Sequence, residues 1–240
     1  MGAWAAGELL GFDLETTGVN RFEDVPVSFS LVSVVNGVVV RSWSGLIDPG
    51  RPVPVESTAV HGISTERARV EGMPLEAAVA MLADVVVAAG RRGVPPVGMR
   101  LDYDLTMIET QAVRLCGRGI VERGWHGPVL DAAVLDRHLD PGREGRRTLV
   151  DLCRHYGIDI ARPHDAMADA VASVEVVFAL AARHEELRGL DLQRLHAAQV
   201  GWHRSWASGY DDQRRARGQA PIDSLDYLWP VAPAALSSAA

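Results

Sequence analysis

The chain has 240 residues, 48% of them apolar, enough to bury a core in one large domain or in one domain with an appendage. Its formal charge is −7 and all 24 of its basic residues are arginine, which argues against a protein that holds nucleic acid by a broad basic surface, because such affinity comes from neutralised phosphates. No apolar run reaches the roughly 18 residues of a membrane span, and the N-terminus has no cationic start leading into an apolar stretch, so the expectation is a cytoplasmic protein without a membrane partner.

Residues 8–15, 27–35 and 38–47 are rich in Val, Leu, Phe, Ser and Trp and predict three strands. Asn36-Gly37 between the last two is a hairpin signal, so these strands form an antiparallel meander. Asp48-Pro49-Gly50 ends the third strand, and Ser64 is placed to cap a short helix. Residues 74–89 carry apolar side chains at helical spacing after a first-turn proline and predict an amphipathic helix ending at Gly90. A short buried strand at 95–99, a helix at 104–115, a brief strand at 129–130 and helices at 132–139, 148–156 and 165–184 follow. Beyond Glu185 the pattern weakens: residues 187–206 suit another helix, and the last ten residues read as disordered. The expected organisation is therefore a main domain over 1–185, a helical or irregular extension over 186–230 and a tail over 231–240. Antiparallel strands followed by alternating helices and short strands give an α/β domain with a mixed sheet. Cys116 and Cys153 lack metal-like spacing and read as buried free thiols, while Trp202, Trp206 and Trp229 are expected to be buried against the main domain or a partner.

Three separated segments carry the chemistry. Asp13 and Glu15 sit two residues apart in Gly-Phe-Asp-Leu-Glu-Thr-Thr-Gly, which in a strand puts both carboxylates on one face. Two like charges there call for a cation, and hard divalent ions such as Mg²⁺ and Mn²⁺ take carboxylate oxygens. A pair of such ions roughly 4 Å apart suits an in-line phosphoryl displacement. Asp104 lies in Leu-Asp-Tyr-Asp-Leu, and His164 and Asp169 lie in His-Asp-Ala-Met-Ala-Asp-Ala. Five residues of ideal helix turn through about 500°, so His164 belongs to the loop before the helix that carries Asp169.

Taken together, these motifs resemble the DEDDh family of 3′-to-5′ exonucleases, over roughly residues 8–183. Asp13-Leu14-Glu15-Thr16-Thr17-Gly18 fits the family's first motif in the wording of its proofreading group, and His164-x-Ala166-x-x-Asp169-Ala170 fits the third. His61-Gly62-Ile63 matches a segment that in relatives packs on the terminal base; Val129-Leu130-Asp131 and Thr148-Leu149 match the stretch before the third motif. The middle motif departs: Met99-Arg100-Leu101-Asp102-Tyr103-Asp104 stands where relatives read His-Asn-Ala-x-Phe-Asp, with Asp104 at the metal position and Asp102 the alternative if the register slips by two.

The resemblance implies a ribonuclease H-like fold. It also implies two Mg²⁺ or Mn²⁺ ions held by Asp13, Glu15, Asp104 and Asp169, with Asp13 bridging, and His164 as general base. Substrate contacts are implied at Leu14, Thr16, Thr17, Gly18, His61, Ile63, Arg100 and Tyr103, with Arg100 standing in for the absent His-Asn pair. Thr16 and Thr17 have the alternative of satisfying backbone groups in the turn after the strand, and Asp131 stands between a helix cap and a support for the ligands. The implied activity is release of nucleoside 5′-monophosphates from a single-stranded 3′ end, of DNA in the first instance, with a DNA polymerase as an open partner. The alternatives are an RNA-trimming member of the same family and a degenerate module that binds nucleic acid or a polymerase without cleaving.

Overall fold

The computed structural model describes residues 2–160 and 163–234. Three long strands open the chain: β1 (Glu8–Thr16), β2 (Pro26–Val35) and β3 (Val38–Asp48). Asn36 and Gly37 both adopt positive φ, 51° and 77°, as a tight hairpin turn between twisted strands requires. After α1 (Val55–His61), α2 (Thr65–Glu71) and the two-residue β4 (Met73–Pro74) come α3 (Leu75–Arg91), β5 (Pro96–Gly98), α4 (Leu101–Cys116), β6 (Leu130–Asp131), α5 (Ala132–Leu139), α6 (Leu149–Tyr156) and α7 (Ala166–Arg183). The short α8 (Glu185–Gly189) and the long α9 (Leu192–Ala216) complete the helices. The sheet has the order β4-β3-β2-β1-β5-β6, antiparallel across β1–β2–β3 and parallel across β1–β5–β6, a mixed α/β sheet as expected.

Alternation along β1 divides the core. Leu10, Phe12 and Leu14 face α3 and α4, whereas Leu9 joins Val32, Val97 and the apolar face of α7 on the other side. Gly11 lets α7 come close: a Cβ there would lie 3.1 Å from the Ala170 carbonyl oxygen. That approach brings the first turn of α7 beside Asp13 and Glu15.

Local sequence signals account for most boundaries. Ser64 accepts from the Arg67 amide and caps α2, and Thr148 and Asp151 form a capping box at the start of α6. Several expectations are corrected. Helix α3 runs through Gly90 to Arg91, because Gly90 is a packing position and a Cβ there would meet the Trp125 ring at 2.5 Å. Helix α4 starts three residues before the expected position, since the Asp131 carboxylate receives its first free amides. Helix α1 was not anticipated: it buries no residue and so lacks an apolar stripe. Cys116 is exposed in the last turn of α4, and only Cys153 is buried.

The extension packs on the main domain. Gln199 of α9 donates to the Val129 carbonyl and accepts from the Asp131 amide, each at 2.8 Å, and so satisfies the open edge of β6. Trp229 is buried with the α3–α4 core. The expected tail begins too early, since Ala232 is fully buried and its amide donates to Thr106 Oγ1; residues 235–240 lie outside the described residues. Among the described residues no helix is long and apolar enough to cross a membrane.

Candidate active site

The carboxylates come from three elements at one end of the sheet. Asp13 and Glu15 project from one face of β1, opposite Ser30 and Ser28 of β2. Asp104 stands in the first turn of α4 and Asp169 in the first turn of α7. His164 precedes α7 with φ +64°, and its backbone amide donates to Asp169 Oδ2 at 3.2 Å. A non-glycine residue in that left-handed conformation is strained, a state that persists where surrounding contacts hold it. Here the Asp169 carboxylate supplies such a contact and leaves the imidazole exposed at the mouth of a cleft of about 760 Å³.

Electrostatics at the cluster are those of crowded like charges. Burial, then Asp104, Asp169 and Glu15, raises Asp13 well above the ordinary carboxylate range. Asp104 is raised by burial, then by Asp102 and Glu15. Burial, then Asp169 and Asp165, pushes Glu15 up to about 8; Asp169 rises to about 6, chiefly through burial. Asp13 thus feels both Asp104 and the pair Glu15 and Asp169. Glu15, His164 and Asp169 each offer a ligand atom within 4.8 Å of the others, and Asp169 Oδ1 is buried without a hydrogen-bond partner. Clustered carboxylates raised toward neutrality by burial and by one another, with one buried oxygen left without a donor, are a ligand set that fits hard divalent cations.

Asp104 rather than Asp102 belongs to this cluster. Asp102 is buried and paired with Arg21 at 3.1 Å, and Arg21 in turn reaches Asp226 at 2.8 Å. The backbone of Arg100 is left-handed (φ 61°, ψ 48°), its amide donates to Asp131, and its side chain is exposed. His61 lines the cleft with Glu15 and His164; its Nδ1 accepts from the Ile63 amide, its Nε2 is buried without a partner, and burial lowers its pKa.

Other residues expected to contact substrate have partners within the protein. Leu14 points to the opposite face of β1, into the α3–α4 core. The Thr17 side chain is buried, donating to Asp24 Oδ1 and accepting from the Val25 amide. Thr16 Oγ1 and the Tyr103 hydroxyl both donate to the Gly18 carbonyl, so these groups shape the turn after β1. Ile63 touches the cleft but packs chiefly with Val27, Val53 and Ala68.

Sequence reasoning missed Ser28 and Ser30, which line the cleft beside the carboxylates, Ser30 Oγ being buried and unpartnered. The signal was available: two serines at period two in a mostly apolar strand, opposite Glu15 and Asp13. It also missed Asp165, whose charge raises Glu15 and Asp169.

Carboxylates clustered at the end of a mixed sheet make a site suited to hard divalent cations. The family model described as Exonuclease matches residues 10–177, and the chain belongs to that family, the DEDDh 3′-to-5′ type. A DNA polymerase III subunit epsilon-like protein of Rhodobacter capsulatus is 32% identical over 180 residues, 70% of this chain and 23% of that protein. A PolC-type DNA polymerase III of Lacticaseibacillus paracasei is 26% identical over 186 residues, 78% of this chain and 12% of that protein. A zinc-bound E. coli exonuclease I–single-stranded DNA complex superposes with TM-score 0.64 at 19% identity, covering 82% of this chain and 43% of that one. The chain thus spans less than a quarter of these curated relatives and under half of that structure.

Proposed function

We propose that the chain is a 3′-to-5′ exonuclease that releases nucleoside 5′-monophosphates from single-stranded ends, with DNA as the first substrate to test. The observation that carries this reading is the convergence of Asp13, Glu15, Asp104 and Asp169, all raised in pKa, around an exposed histidine. These four carboxylates would hold two Mg²⁺ or Mn²⁺ ions. When bound, the cations would neutralise charge developing on the phosphoryl oxygens.

The residues themselves do the rest. His164, held at its backbone by Asp169, stands at the cleft mouth where its ring can take a proton from the attacking water. Asp169 is fixed on α7 while the histidine rides on the loop before it, so proton transfer and ligand geometry are set separately. His61 lines the cleft with Nδ1 accepting from the Ile63 amide, so its unpartnered Nε2 carries the ring proton and is a donor for the terminal nucleotide.

The test uses DNA and RNA single strands labelled at the 5′ end and incubated with Mn²⁺ or EDTA. A ladder shortening one nucleotide at a time, present with Mn²⁺ and absent with EDTA, supports the reading, and its rate on the two strands ranks the substrates. Strand binding without any cleavage under either condition would replace the enzyme with a binding module.

A further inference from the structure

A second recess, about 620 Å³, opens between α5 and α9, outside the carboxylate cleft and mostly beyond the family match. Trp202, Trp206 and Tyr210 follow at steps of four along α9, so their rings line one face of the helix. His138 lies flat on Trp202 with ring centroids 3.8 Å apart, and Trp202 also packs against both cores. Trp206 and Tyr210 stand further out, parallel to within 7° at 5.6 Å, and Tyr210 is 38% exposed. The Arg137 guanidinium sits 3.9 Å over the Trp206 ring.

Arg137 is the informative residue. It has no hydrogen-bond or ion-pair partner among the described residues, although burial lowers its pKa and Asp131, Asp102 and Arg100 all act on it electrostatically. The two acids are already engaged, Asp131 by backbone amides and Asp102 by Arg21. Helix packing alone explains Trp202, but it does not explain an unpaired cation laid on an indole beside two stacked outer rings. Asp131 caps α5 and also receives the Arg100 amide at the start of α4, the helix that carries Asp104, and Arg137 lies six residues, roughly 9 Å of helix, beyond that cap.

We propose that this groove binds single-stranded nucleic acid upstream of the end being cut, with a base on the exposed Tyr210 ring, which Trp206 backs, and a phosphate at Arg137. A single strand offers unpaired base faces and phosphates at alternating positions, which matches flat rings beside a guanidinium. A duplex hides its base faces, and an acidic peptide satisfies Arg137 but leaves the rings without a stacking partner. The identity of the occupant rests on the exonuclease reading; binding to the groove is measured apart from cleavage.

The test is fluorescence anisotropy of 5′-labelled dT4 and dT12 in EDTA, with the wild-type chain, Arg137→Gln and Tyr210→Ala, the latter at an exposed position. Wild type should bind dT12 more tightly than dT4, and each variant should weaken dT12 binding about five-fold or more, narrowing that gap. Arg137→Gln should also flatten the salt dependence of dT12 binding. Equal wild-type affinity for the two lengths, or unchanged dT12 affinity in both folded variants, overturns the proposal and leaves the groove to a protein partner. Loss of cleavage with retained dT12 binding would instead count against the proposed activity alone.

Discussion

The indole N–H of Trp229 donates to Oδ2 of Asp131 at 3.3 Å, across 98 positions of sequence. The same carboxylate accepts from the amides of Arg100, Leu101 and Ala133, so it holds the start of α4 and the start of α5 at once. Nearby, Asp226 reaches Arg21 and through it Asp102, and the Ala232 amide donates to Thr106 in the second turn of α4. The C-terminal segment therefore braces the helix that carries Asp104.

Asp131→Ala should destabilise the protein by about 3 kcal/mol, because several buried amides lose their acceptor together. Trp229→Phe keeps the ring and removes one donor, so it should cost about 1 kcal/mol. Both should reduce cleavage, the second by less, with thermal unfolding and single-turnover rates as the readouts. Wild-type turnover in a folded Asp131→Ala would show that the brace does not position Asp104.

Asp13→Asn, Glu15→Gln, Asp104→Asn and Asp169→Asn should each lower cleavage by orders of magnitude with the fold intact. Asp102→Asn should instead act on stability, weakening a buried pair with Arg21 that retains Asp226 as its other partner. Isothermal titration with Mn²⁺ separates the two: affinity should fall for Asp104→Asn and stay near wild type for Asp102→Asn. The reverse pattern would move the middle ligand to residue 102.

Two pieces of the site were legible because their rules are local, while the meeting of the three segments was implied only by the family resemblance. Alternation in β1 put Asp13 and Glu15 on one face, and the helical turn between His164 and Asp169 required the histidine to sit on a loop. The contacts of Thr17 and Tyr103 were not legible, since their hydroxyls take partners, Asp24 and Gly18, chosen by how the turn after β1 closes. The burial of Trp229 was expected, but its bond to Asp131 and the contacts of Asp226 and Ala232 were not legible for a related reason: they follow no apolar period, and their partners lie about 100 or more positions away.

The metal-free protein should lose stability as pH rises. Glu15 is raised from 4.5 to about 8 and Asp169 from 3.8 to about 6, so folding favours their protonated forms. Their contribution is fully present below pH about 4 and is lost as pH climbs through about 6 and then about 8. Melting temperature in EDTA should therefore decline over that window, Glu15→Gln should flatten its upper part, and Mn²⁺ should raise stability most at the alkaline end. A melting temperature in EDTA that rises steadily from pH 5 to 8 would contradict these shifts.

His164→Ala should lower turnover by about 10²- to 10⁴-fold, the range of a lost general base. The ligand atoms of Glu15, His164 and Asp169 lie within 4.8 Å of one another, so the imidazole has a second possible role as a ligand. Mn²⁺ affinity decides between them. An affinity within a few-fold of wild type fits the base, whereas a collapse in affinity alongside turnover makes His164 a ligand.

Arg100 offers a case in which stability and function should move in opposite directions. Its backbone is held at φ 61°, where a side chain costs roughly 1 kcal/mol relative to glycine, while its amide is fixed on Asp131 and its side chain stands exposed, acting electrostatically on Asp102 and Tyr103. Arg100→Gly keeps the amide contact and relieves the backbone, so it should stabilise the fold by about 1 kcal/mol. If the guanidinium pairs a substrate phosphate in place of the absent His-Asn pair, the same variant should raise KM several-fold and reduce the magnitude of the salt slope of binding by about 1. Melting temperature, KM and salt slope measured on one short oligonucleotide give all three signs. Stabilisation with KM and slope unchanged would mean that Arg100 serves only to start α4, and that the strand end is gripped elsewhere in the cleft, with His61 the next residue to test.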